Sequence, residues 1–164
     1  MCVYVAPCHP WKRYCAYLKI KWDSVELELL ADLLHGPACV LNGAKLDDAE
    51  LIRASREAFD GRLFYVVRHW MLLDVMVSAS TEHELNVEGL KPTILYSPMT
   101  VHDSQDKYRP GDSILSGYQR DFDGCIFESK DMLYILAGRG ARKHASLSAV
   151  QALAAYQKSS TKIQ

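Results

Sequence analysis

The sequence predicts an α+β fold, a single domain spanning residues 1–164 in which a mixed sheet of about five strands, including a C-terminal hairpin, is covered by helices. Three observations carry this reading. Gly61 to Val77, GRLFYVVRHWMLLDVMV, is apolar on both faces, is interrupted only by Arg62, Arg68, His69 and Asp74, and is rich in β-branched and aromatic residues, as a strand inside a sheet should be. Cys125 to Glu128 and Leu133 to Leu136 are two short apolar arms around Ser129, Lys130 and Asp131, the pattern of a hairpin. Helix-start signals precede, punctuate and follow these strands.

In chain order, residues 1–21 form an arm without a clear period, broken by Pro7 and Pro10. Cys2, Cys8, His9 and Cys15 there are zinc-ligand types, but their gaps are wider than the two to four residues of a usual knuckle, so no metal is expected. Asp23 and Glu26 stand at capping-box spacing, and a helix should begin near Ser24, carry Leu27, Leu29, Leu30, Leu33 and Leu34, and end at Gly36 and Pro37. That leucine stripe reads as core before it reads as a docking face. A loop through Asn42 and Gly43 leads to Lys45.

A second helix starts at Asp47, with Asp48 and Glu50 at its positive end, and Asp60 and Gly61 stop it. The short turn that follows folds it back on the sheet, burying Phe59. Trp70 or Met71 marks a bend in the central strand. Ser78 to Gly89 reads as a polar helix capped near Ser80, and Leu90 to Thr100 contains a second buried strand, TILY, pairing parallel to the first as a βαβ unit. His102 to Gly111 is a polar loop before a strand at Ser113 to Gly117. After the hairpin, Gly138, Arg139 and Gly140 release the chain into a basic loop, Ala141 to Ala145. Ser146 caps a last helix bearing Leu147, Val150, Leu153, Ala154 and Tyr156, and residues 159–164 form a polar, flexible tail.

Composition bounds the function. The chain is 49% hydrophobic and 24% charged with a net charge of −1, so it should fold, and no bulk field draws it to nucleic acid or an acidic membrane. Five cysteines, an odd number without CxxC spacing, suit a reducing cytoplasm better than a secreted disulfide scaffold. The N-terminus lacks the unbroken apolar segment of a signal peptide, and Asp74 interrupts the strongest run before membrane-spanning length, so a soluble cytoplasmic protein is expected.

Through GRLFYVVRHWMLLDV, GLKPTILY, HDSQDKYRPGDSI and CIFESKDMLYILAGRGARKHASL, about Leu51 to Leu153, the chain resembles an uncharacterised family of small bacterial proteins, some carried by phages or prophages. In that family the hairpin is an aromatic or acidic strand, a short turn and an apolar strand ending in a glycine-rich basic loop. Phe127 and Glu128, Ser129 to Asp131, and Tyr134 to Lys143 stand at those places here. The chain departs from the pattern at Ser113, where a tryptophan would stand, and the resemblance does not reach the first 45 residues. It implies no activity.

Two groups of residues are candidate contacts. Arg139, Arg142, Lys143 and His144, on a glycine-bounded loop entering a helix, could hold phosphate or nucleic acid, although neither a P-loop nor a full dinucleotide motif is present. A solvated connection explains them more simply. Arg68, His69 and Trp70 bring cation, imidazole and indole together in the central strand, and His102 with Asp103 could form an acid–base pair on a loop. Arg68 is equally suited to pair with Asp74 or Glu128. Cys125 with a histidine would make a nucleophile, but a thiol opening a buried strand usually packs as a small hydrophobe. The expected function is therefore a non-enzymatic, protein-binding accessory or regulatory factor without cofactor, acting on a host or competitor system. A nucleic-acid or phosphate module is the first alternative, and a small enzyme with a histidine-based site the second.

Overall fold

The computed structural model describes residues 24–161. The arm, with the cluster Cys2, Cys8, His9 and Cys15, and the last residues of the tail lie outside the described residues. Four helices and nine strands follow in the order α1 (Ser24–His35), β1 (Cys39–Asn42), α2 (Asp48–Ala58), β2 (Phe64–Arg68), β3 (Met71–Met76), α3 (Ala79–Val87), β4 (Lys91–Ser97), β5 (Met99–Asp103), β6 (Ile114–Phe122), β7 (Ile126–Ser129), β8 (Leu133–Leu136), β9 (Arg139–Ser146) and α4 (Leu147–Thr161). The class is α+β, as expected, but the sheet has nine strands rather than about five, in the order β1-β9-β3-β4-β6-β7-β8-β2-β5. The difference arises because three runs each supply two strands and β1 adds one that the sequence reading lacked.

Those three runs shape the molecule. β2 is eighth in the strand order and β3 third, yet only His69 and Trp70 join them. Across a flat sheet that separation would be about 24 Å, whereas three Cα steps reach about 11 Å. The sheet must therefore fold over on itself. β4 and β5, joined by Pro98, and β8 and β9, joined by Ala137 and Gly138, make the same jump. The bends are tied to one another: Ser97 Oγ donates to the Arg68 carbonyl at 2.7 Å, Ala137 N–H donates to the Val67 carbonyl at 2.9 Å, and Ala141 N–H to that of Trp70 at 3.0 Å. His69, at φ 54°, and Gly138, at φ 68°, take the left-handed turn at two of them.

Alternation along the strands then sorts the core into three parts. Tyr65, Val67, Trp70, Leu72, Leu95, Phe127, Tyr134 and Leu136 come from both halves and meet in the fold's interior. Phe64, Val66, Leu133 and Ile135 face Leu51 of α2, with Phe59 packed against them. Leu73, Val75 and Ile94 lie under Leu30 and Leu33 of α1 and Ala149, Ala152 and Leu153 of α4.

The helix signals place their elements well. Asp47 caps α2, accepting from Glu50 N–H at 2.9 Å, and α1 begins at Ser24. The cap of α3 is Ser78 rather than Ser80. β3 and β4 pair antiparallel, not parallel. With only Leu85 buried, α3 has no apolar face broad enough to cross the sheet, so it reverses the chain at one end. His102 and Asp103 belong to β5, and the basic loop is strand β9, antiparallel to β1 and parallel to β3. Gly140 belongs to that strand because a β-carbon there would overlap the Trp70 indole.

Candidate functional site

The four basic residues of β9 do not form one patch, because successive residues of a strand point to opposite faces. Arg142 Nε and Nη2 donate to the two carboxylate oxygens of Asp74 at 2.8 and 2.9 Å, and Thr93 Oγ1 donates to the same group at 2.7 Å. Burial pushes the Asp74 carboxyl up, but hydrogen bonds from Arg142 and Thr93 and the charges of Arg142 and His144 outweigh it and hold it below its ordinary range. Lys143 Nζ donates to the carbonyls of Asp32 and Leu33, at 2.6 and 3.2 Å, capping the negative end of α1. Arg139 and His144 are exposed.

The second group is scattered. Arg68 Nε donates to Asp48 Oδ1 at 2.8 Å, in the first turn of α2, rather than to either expected partner. Asp74 is taken by Arg142, and Glu128 by Arg62 at 2.8 Å. His69 is exposed at the bend, whereas Trp70 is 1% exposed with its indole N–H unpartnered. His102 packs its ring against Phe64, centroids 5.6 Å apart. Burial, then the charge of Arg56, pushes its pKa down against Asp103 and Asp106. Asp103 accepts from the backbone N–H groups of Gln105, Lys107 and Tyr108 at 2.7 to 2.9 Å. That carboxylate fastens the following loop, and as neighbours on a strand His102 and Asp103 project from opposite faces. Cys125 is half-buried just ahead of β7.

A surface depression of about 140 Å³ lies between Phe59, Arg62, Asp121, Asp123, Ile126, Glu128 and Leu133. It is well below the roughly 300 Å³ at which small-molecule pockets begin. The more distinctive feature is the β1 edge. Gly43 N–H donates to the Gly138 carbonyl at 2.7 Å, and the register pairs Leu41 with Gly140 and Cys39 with Arg142. By antiparallel alternation, Cys39 and Leu41 direct their backbone groups to β9, and Val40 and Asn42 direct theirs outward. No strand among the described residues lies on that side, and Val40 is 58% exposed. At the opposite edge, Thr100 N–H donates to the Asp112 carbonyl and Gly111 N–H to that of Thr100, each at 2.8 Å.

Around the open edge, Lys45, Arg139 and His144 are exposed and Arg142 is 39% exposed, while β1 itself has no charged side chain. Reading Asn42 and Gly43 as a loop missed this strand. The signal was Cys39, Val40 and Leu41, three strand-compatible residues directly after the helix-ending Gly36 and Pro37.

No helix among the described residues is long and apolar enough to cross a membrane. A family described as a domain of unknown function, DUF6957, matches residues 42–152. No curated protein and no solved structure matches the chain.

Proposed function

Because the chain belongs to this family, DUF6957, over residues 42–152, and the family's description specifies no chemistry, we propose a function from the surface: a non-enzymatic, protein-binding accessory or regulatory factor. Its partner adds an extended segment to the β1 edge. The single observation that supports this is the asymmetry of the sheet among the described residues: Thr100 of β5 is bonded to residues 111–112, whereas no strand pairs outside β1, an uncharged strand carrying the exposed Val40. Natural sheets usually blunt a free edge with charge, proline or a covering loop, and an unblunted edge is a known way of holding a peptide through its backbone. The resemblance to bacterial and phage proteins adds a bacterial or phage origin to the proposal, with a host or competitor component as target.

Val40→Pro tests the reading because it removes an outward N–H and leaves the β1–β9 ladder bonded. Capture from bacterial lysate should return specific proteins with the parent chain and lose them with the variant. Identical capture by both, or turnover in an activity screen without specific capture, would overturn the proposal. The nucleic-acid reading has weaker support, since Arg142 and Lys143 are engaged within the fold and leave Arg139 and His144 as the exposed basic residues of the four.

A further inference from the structure

We infer that the segment held at the β1 edge is acidic as well as extended, its Asp or Glu residues alternating with apolar ones; this rests on the edge-pairing reading above. Backbone pairing is indifferent to sequence, so the side chains flanking the edge select what binds. β1 contributes Cys39, Val40, Leu41 and Asn42 and no charge. The exposed arginine and lysine beside it are Arg139 and Lys45. Arg139 stands cross-strand from Asn42, on the face of Val40. Arg142 stands cross-strand from Cys39, on the other face, which His144 shares by alternation, and Lys45 follows the strand's end. Asp74 is engaged with Arg142 and Asp48 with Arg68, and Asp47 caps α2, whereas Asp32 of α1 is exposed. Arg139 and Lys45 are thus the exposed arginine and lysine beside a strand that has no charge of its own.

That distribution separates the occupants. A second copy would offer β1 another uncharged strand and leave Lys45 and Arg139 without acidic partners. A nucleic acid would need a row of phosphate contacts on one surface, whereas the exposed arginine and lysine beside this edge are two, Arg139 and Lys45. An added strand sends every second side chain to the face of Val40, so acidic residues there meet Arg139, while the apolar residues between them go to the other face, where Arg142 is already paired with Asp74.

The test uses two labelled synthetic peptides, one alternating Val with Glu and one alternating Val with Lys, titrated with the full chain and read by fluorescence anisotropy. The acidic peptide should bind at least about tenfold more tightly at low salt, and the gap should narrow as salt rises. Changing Lys45 and Arg139 together to Ala should weaken the acidic peptide by about three- to tenfold. Val40→Asp, which keeps the backbone donor, should weaken the acidic peptide while sparing the lysine one; Val40→Pro should abolish both. Equal affinity for the two peptides, both lost with Val40→Pro, would overturn the acidic inference and leave edge pairing standing. Binding of neither peptide, or binding of both undiminished by Val40→Pro, would overturn the two together. A dimer that Val40→Pro dissociates would identify a second copy as the occupant, against the inference. So would oligonucleotide binding lost in the Lys45 and Arg139 variant but kept in Val40→Pro, which would assign the flank to nucleic acid.

Discussion

Gly140 and Trp70 show how much one residue can decide. The indole lies where any other residue's β-carbon would be, so Gly140→Ala should destabilise the fold by about 1–3 kcal/mol, or more if the bend cannot yield. Combined with Trp70→Ala it should cost less than the sum of the single changes, and denaturant unfolding of the four chains closes that cycle. The glycine-bounded basic stretch therefore needs its glycines for packing as well as for turning. Asp74 yields a second expectation. Its folded pKa lies below the unfolded one, so its contribution is fully present above about pH 4 and is lost as pH falls through the lower, folded value. Asp74→Asn should reduce stability at neutral pH and flatten the acid limb of the stability profile. Thermal melts between pH 2 and 7 check this, and a parent and variant with parallel profiles would dismiss it.

At the level of elements, α4 separates core from surface within one helix. Leu153 is 0% exposed under α1, whereas Leu147 is 45% exposed. Leu153→Ala should cost about 2–5 kcal/mol and Leu147→Ala within about 0.5 kcal/mol, both measured by urea titration. The sequence groups Leu147 with Leu153 as apolar residues of one helix, but Leu147 is the first residue of that helix and stands exposed. Legibility followed local chemistry throughout. The cap at Asp47, the hairpin around Ser129 to Asp131, and the bend at Trp70 were readable because each is decided by neighbours in sequence. β9 was not, since Arg139 to His144 carries polar residues on both faces and is a strand only because β1 and β3 flank it. The open edge was hidden for the same reason: only the assembled sheet shows which strand lacks a neighbour.

For the whole molecule, three runs that each give one strand to either half of one folded sheet mean that neither half can be placed without the other. Phe64 and Val66 face α2 while Tyr65 and Val67 face the interior, and after two residues of bend Leu72 again points inward while Leu73 and Val75 meet α1 and α4. The bend at 69–70 thus acts as an odd–even counter. Inserting a single glycine after His69 should exchange the two sets beyond it, turning Leu73 and Val75 toward the aromatic interior and Leu72 toward the helices, and the chain should lose its cooperative transition. Inserting two glycines keeps the count even and should leave a folded, though weakened, protein. Circular dichroism and melting of the two insertions would tell them apart. Evolution of such a chain is then confined to changes that conserve parity at its creases, leaving the rims free to vary in length.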